Sequence, residues 1–305
     1  MDQTNTASHL DVLSKRNLLI MTGALVVLLL SSTMIYGLYS LLIAGIAIVF
    51  SVAVEFLFAK TRKKKLDFSL LITPLVFALA MPPTVPLWVA AIGVSFGTFF
   101  AKSLFGGLGK NIFNPAMVGY IFVTISFPKF LNTQWLNPIT DLIGSSTPLM
   151  QLNGGTLGLS HWSLLVGNVP GSLGETFRLG IIALGLVLIL LKVIDWRIPF
   201  SILATVFLIN YVGGFFNDVY FKDPVYSLIV GSVLFGSFFV ATDPVSAPTK
   251  GMGKLLYGLG IGVIIMIIRG NPGAYPAGMA FAVVIMNAIS PLIDSLFEKK
   301  VVEVI

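Results

Sequence analysis

Phe239-Val-Ala-Thr-Asp243-Pro244-Val-Ser-Ala-Pro248 carries the same Pro-x-x-x-Pro spacing as Phe77-Ala-Leu-Ala-Met-Pro82-Pro-Thr-Val-Pro86. Farther along, Tyr275-Pro276-Ala277 follows the later stretch at nearly the interval at which Asn114-Pro115-Ala116 follows the earlier one. Each motif interrupts an apolar run. Proline removes a helix hydrogen bond, and inside a bilayer the freed backbone survives only where protein or a water-filled cavity covers it. Two matched pairs in the same order therefore read as an internal repeat built around broken or re-entrant helices.

Composition places those helices in a membrane. The 305 residues are 56% hydrophobic and only 10% charged, with a mean hydropathy of +0.95. A soluble domain has roughly 45–50% apolar and about 25% charged residues, so this chain has too little charge to cover a globule in water. The absence of cysteine excludes iron–sulfur clusters, thiolate haem ligation, disulfides and zinc–thiolate sites. His9 and His161, the two histidines, argue against a bis-histidine haem. No metal site is read.

A span needs about 20 mostly apolar residues to cross roughly 30 Å of hydrocarbon. About ten are read: Asn17–Leu38, Leu41–Ala59, Leu66–Met81, Val85–Ser103, Ala116–Phe127, Phe177–Ile194, Ile198–Phe215, Val225–Thr242, Leu255–Ile268 and Gly278–Phe297. The segments near Leu66, Ala116 and Leu255 are short for a full crossing. The first span is too long for a signal-peptide core and lacks a small-residue cleavage site. With both termini cytoplasmic, only Lys129, Arg178, Lys222 and Arg269 fall outside, as the positive-inside rule requires. The basic run Lys60–Lys65 reads as a topogenic loop against the lipid bilayer rather than a nucleic-acid contact.

The expected fold is thus an all-α integral membrane protein of about ten transmembrane helices, arranged as two inverted five-helix repeats with broken, re-entrant helices. Its parts are a polar cytoplasmic N-terminus (1–16), a first repeat (17–128), an extracytoplasmic loop (129–176) and a second repeat (177–305). Inverted repeats place binding sites near the midplane, where broken helices from both halves meet.

Several motifs bear on chemistry. Gly106-Gly-Leu-Gly109-Lys110-Asn111 resembles a phosphate loop, but Leu104 stands where its first glycine belongs and Asn111 where it needs Ser or Thr. No nucleotide site follows; the segment suits a re-entrant turn ahead of Asn114-Pro115. Gly93-x3-Gly97 and Gly258-x3-Gly262 read as packing motifs. Glu55, Asp195 and Asp294 lie near helix ends, where snorkelling or pairing with lysines accounts for them. Asp243, inside the repeat motif, is the best candidate for ion or proton handling, with capping of a broken helix as the equal alternative. In the long loop, Asp141-Leu-Ile-Gly144-Ser145-Ser146-Thr147-Pro148 offers hydroxyls on small-residue backbone accessible to a modifying enzyme. Glu175 reads as an early-turn acid of the following helix, and His161 and Trp162 as loop packing.

The chain resembles the RnfD subunit of the Rnf electron-transport complex, related to the NqrB subunit of the sodium-translocating NADH:quinone oxidoreductase. The resemblance rests on Gly106–Gly119, Gly171-Ser-Leu-Gly-Glu-Thr176, Ala241–Pro248, Tyr275–Ala282 and Met286–Asp294, and covers nearly the whole chain after the N-terminus. It implies FMN held by a phosphoester on a threonine, installed by a flavin transferase that reads a pattern close to Asp-x-x-Ser/Thr-Gly-Ala-Thr. Asp141 then starts the pattern and Thr147 is the acceptor. Gly144, Ser145 and Ser146 depart from it, and Ser146 is the nearest alternative acceptor.

The function this implies is a flavoprotein subunit of a ferredoxin:NAD+ oxidoreductase in the bacterial cytoplasmic (inner) membrane. It would pass electrons between the other Rnf subunits, with coupled Na+ or H+ translocation. The Gly106–Ala116 and Ala241–Pro248 segments, with Asn114 and Asp243, would line a midplane pocket for a second, non-covalent flavin (riboflavin or FMN) or for the ion route. A non-redox channel or transporter for a small solute is the alternative that the same fold allows.

Overall fold

Apolar runs free of proline and glycine clusters become long helices; the interrupted ones become short helices joined by turns. The computed structural model describes residues 13–63, 69–144, 147–149, 160–216, 224–270 and 278–297. Helix α1 spans Lys15–Tyr36, α2 Tyr39–Thr61, α3 Ile72–Ala80 and α4 Leu87–Gly97, the last continuing as a π-helical turn over Thr98–Ser103. Then come α5 (Pro115–Ser126), α6 (Pro128–Asn132), α7 (His161–Val166), α8 (Arg178–Leu190) and α9 (Arg197–Phe216). After them follow α10 (Pro224–Ile229), α11 (Val233–Phe235) with a π-helical turn over Gly236–Val240, α12 (Gly251–Arg269) and α13 (Met279–Leu296). Among the described residues the fold is all-helical, apart from one isolated bridge between Leu136 and Ile143.

Five helices, α1, α2, α9, α12 and α13, are long and apolar enough to cross a membrane. Three shorter apolar helices, α4 with its π turn, α5 and α8, accompany them. Large apolar side chains line the outside, Met34 at 90% exposure and Leu190 at 79% among them. A water-facing surface would not carry so continuous an apolar cover.

Three expected spans differ. Within Leu66–Met81 the described helix is the nine-residue α3, most of whose side chains are buried. Val225–Thr242 is not one helix but α10, a turn, and α11 with its π segment. Gly231 makes that turn at φ +72°, and the carbonyls it frees at Ser227 and Val230 accept from Arg269 at 2.7 and 2.8 Å. The stretch near Leu255, expected to be short, is instead the 19-residue α12. Its helix begins at Gly251, and just ahead of it Asp294 accepts the N–H groups of Thr249 and Lys250 at 2.9 and 3.3 Å. The Tyr275–Ala277 member of the repeat lies outside the described residues.

The glycine pairs pack as expected. A Cβ on Gly97 would sit 2.1 Å from the Pro115 carbonyl oxygen, and one on Gly258 would sit 2.8 Å from that of Ile198. Backbone therefore lies on backbone where α4 crosses α5 and where α12 crosses α9. By contrast, nothing lies within 4 Å of a Cβ added to Gly45 in α2. Gly97→Val should abolish the monodisperse folded peak in size-exclusion chromatography of detergent-solubilised protein, whereas Gly45→Ala should leave it within about 1 kcal/mol of the parent.

Candidate functional site

Each broken helix leaves carbonyls that lipid cannot satisfy, and in this protein other segments reach in to bond them. At the end of α3, the Leu79 and Met81 carbonyls accept from Gly174 and Leu173 N–H at 2.6 and 3.0 Å. The Gly171–Thr176 loop that supplies these donors is pinned by Tyr36, whose hydroxyl meets Thr176 Oγ1 at 2.9 Å and donates to the Gly171 carbonyl at 3.2 Å. At the end of the second π turn, the Val240 carbonyl accepts from Asn114 Nδ2 at 3.3 Å. Asn114 Oδ1 meanwhile caps α5, accepting from Ala116 and Met117 N–H. Asn287 closes the arrangement: its Oδ1 accepts the Asn114 N–H at 3.0 Å, and its Nδ2 donates to the Ser246 carbonyl and to the Tyr257 hydroxyl.

This clamp separates two cavities stacked along the same two segments. The first, of about 70 Å3, is walled by Met117, Tyr120 and Thr124 of α5, by Phe235, Gly236 and Val240, and by Trp135, Thr147, Ser172, Glu175 and Met279. The second, of about 80 Å3, lies past Asn114, Pro115 and Ala116 and past Phe239, Thr242 and Asp243, with Thr73, Lys102 and Asn111 opposite. A third cavity, of about 480 Å3, shares Val193, Thr242 and Pro244 with the second and is also lined by Asp195, Lys192 and Lys254.

Thr147 departs from expectation. It is not an accessible loop hydroxyl but a buried one, 7% exposed, on the wall of the first cavity. Asp141 is exposed, held at φ 53° in a turn closed by its N–H to the Asn137 carbonyl, and forms no part of that wall. Ser145 and Ser146 lie outside the described residues. Asn114 and Asp243, far apart in sequence, do meet on the wall of the second cavity. Asp243 makes a capping turn, accepting from Val245 N–H at 3.2 Å and Ser246 Oγ at 2.9 Å.

The other acids are accounted for by neighbours. Glu55 accepts from Lys102 Nζ at 2.7 Å in a buried ion pair. Lys102 reaches it from the π turn of α4, where the extra residue re-aims the side chain. Asp195 pairs with Lys254 at 2.9 Å and Arg197 at 3.3 Å. Partial burial pushes the Asp195 carboxyl up, but the bonds from Lys254 and the Arg197 N–H, with both charges, outweigh it and hold it below the usual carboxylate range. Its contribution to stability is therefore complete at neutral pH and is lost as pH falls through that depressed value. Asp294 serves backbone N–H groups rather than a lysine. Glu175 precedes α8 by three residues instead of lying in its first turn, and it is buried. His161 stacks on Tyr226 with ring centroids 4.2 Å apart, as loop packing would have it.

Sequence reasoning misses Arg178 and Arg269. It counts both only as charges on the outer side of the membrane, and the structure buries their side chains, at 1% and 4% exposure. Their one signal is position, each at the end of an apolar run that a broken neighbour adjoins.

The NQR2, RnfD, RnfE family matches residues 3–303. The chain belongs to this family. The D subunit of an ion-translocating oxidoreductase complex from Alcanivorax borkumensis is 39% identical over 277 residues, covering 81% of this chain and 80% of the relative. The B subunits of the Na(+)-translocating NADH-quinone reductases of Ectopseudomonas mendocina and Klebsiella pneumoniae are 36% and 37% identical over 250 and 256 residues, covering 79% of this chain in each case. This chain spans 62% of the length of each. With several apolar helices and these relatives, this family member is a multi-pass membrane protein.

Removing one partner of a buried ion pair typically costs about 3–5 kcal/mol, whereas replacing both with apolar groups is often neutral. Lys102→Met alone should sharply lower the thermal midpoint of the detergent-solubilised protein, and the double variant with Glu55→Leu should recover most of the loss.

Proposed function

We propose that this chain is the flavin-bearing membrane subunit of an Rnf-type ferredoxin:NAD+ oxidoreductase. It carries FMN as a phosphoester on Thr147, passes electrons between partner subunits on the extracytoplasmic side, and contributes to coupled Na+ or H+ translocation. Ten crossings in two inverted five-helix halves, with both termini cytoplasmic, are the architecture in which it works. The 39% identity to the D-subunit relative over 277 residues supports the Rnf-type reading.

One observation carries the reading: Thr147 belongs to the wall of a cavity lined by aromatic residues and glycines, at the head of the file of cavities that continues past Asn114 to Asp243. Its volume, about 70 Å3, has room for a handful of waters at about 10–15 Å3 of probe-occupied space each. It therefore suits the phosphoryl end of a flavin nucleotide. A bound flavin supplies electron transfer that no side chain here offers, and the protein's part is to position it and tune its potential. In the second cavity, Lys102, Asn111 and Asp243 present donors and acceptors of the kind that a flavin's polar edge or a desolvating ion needs. The Asn114 side chain is taken up by the clamp, so what it contributes there is placement.

Because Thr147 is buried, a flavin transferase reaches its oxygen only while the cavity wall is open. Peptide mass spectrometry across Asp141–Gln151, on protein co-expressed with the transferase, should show an FMN-sized addition on Thr147. In-gel fluorescence of the denatured protein should disappear in Thr147→Ala. Transferase added after folding should label far more slowly than co-expression does. An unmodified peptide and a dark band after co-expression would move the reading to solute transport alone. For the second cavity, Asp243→Ala should impair ion transport or non-covalent flavin content; if both are unchanged, that cavity has neither role.

A further inference from the structure

We propose that Arg178 and Arg269 are positioning residues that balance the charge of the phosphate on Thr147 and thereby set how readily the attached flavin is reduced. This rests on the flavin reading above. Both guanidiniums are almost wholly buried. Arg178 donates to the carbonyls of Ile229, Leu164 and Thr176, and Arg269 to those of Ser227 and Val230. These partners are all neutral carbonyls, and neither arginine has a carboxylate oxygen within 4.0 Å among the described residues. Arg178 Nη2 and Arg269 Nε have no hydrogen-bond partner among the described residues.

Carbonyls alone do not explain so costly a choice. An uncompensated buried charge is penalised far more heavily than a buried dipole, and the two buried cations face at most one negative group among the described residues, Glu175, which lies within electrostatic reach of both. At least one positive charge is left over. Neither arginine lines the first cavity, but both lie behind its wall: Glu175 and Gly231 belong to that wall, and a Cβ on Gly231 would sit 3.0 Å from Arg269 Nη2 and 3.2 Å from Leu149 Cδ2, two residues from Thr147. A phosphodiester on Thr147 brings one negative charge to that wall, cancelling the excess. With both guanidiniums in place the attached flavin does not lie beside an uncompensated phosphate anion, which would disfavour the extra electron of its reduced form.

The test uses the full chain, co-expressed with its transferase and purified with covalent flavin verified by mass spectrometry. At a fixed ambient potential, the ratio of reduced to oxidised covalent flavin should fall on the order of tenfold in Arg269→Gln, the scale of one unit charge at roughly 10 Å with an effective dielectric of about 20. Arg269→Lys, which keeps the charge and loses the fork, should stay near the parent. A purely structural arginine would make the lysine variant as disturbed as the glutamine one. In the unaltered protein, the phosphorus NMR signal of the linking phosphate should resist broadening by added Mn2+, because the phosphate is buried against the arginines. A flavinylated Arg269→Gln with an unchanged ratio, or a phosphate signal broadened at once by Mn2+, overturns the inference while leaving the flavin reading intact. Unaltered protein that carries no flavin overturns the reading itself.

Discussion

Everything distinctive in this fold depends on the need to satisfy backbone carbonyls that broken helices release at membrane depth. An unbonded buried carbonyl costs about 1–3 kcal/mol, and lipid offers no water to relieve it. The chain breaks its helices near Leu79, Ile229 and Val240, and at each break a different segment delivers donors: the Gly171–Thr176 loop, the two guanidiniums, and the Asn114 amide. Asn287 is the keystone of the last of these, since one amide holds the Asn114 N–H, the Ser246 carbonyl and the Tyr257 hydroxyl together. The breaks persist because these donors are fixed by long-range packing, and the cavities exist because the breaks do.

That dependence also explains where the buried charges lie. Lysine with glutamate answers itself at one end of the file, where Lys102 and Glu55 neutralise each other beside Asp243. Arginine, with its planar fork, can bond several carbonyls at once, and at the other end it is used that way. The two ends therefore differ in electrostatic character. The cavity near Asp243 sits in a locally compensated field, while the cavity at Thr147 sits beside a surplus of positive charge.

Three of the long helices are legible in the sequence. α1, α2 and α9 lie close to their expected bounds because nothing but apolar periodicity decides them. Gly93-x3-Gly97 and Gly258-x3-Gly262 are legible for the same local reason, as backbone contact needs only the missing Cβ. Thr147 is not: a stretch of Gly, Ser and Thr reads as exposed turn, yet it is 7% exposed and shares a cavity wall with Phe235 and Met279, which lie far along the chain. Arg178 and Arg269 are hidden by a rule that works on average. Charges at the ends of apolar runs usually mark topology, and only the broken neighbour, Ile229 to Val233, reveals that these two turn inward.

The stacking of the cavities constrains how the two can communicate. Between them stands a single layer, the first turn of α5 and the last π turn before Ala241, joined by the Asn114–Val240 bond. Both members are constrained against alternatives: α5 starts on a proline whose predecessor must stay extended, and the π turn holds one residue more than an α turn would. If the π turn relaxed to α geometry, the carbonyl facing Asn114 would change, and the clamp on Asn287 would change with it.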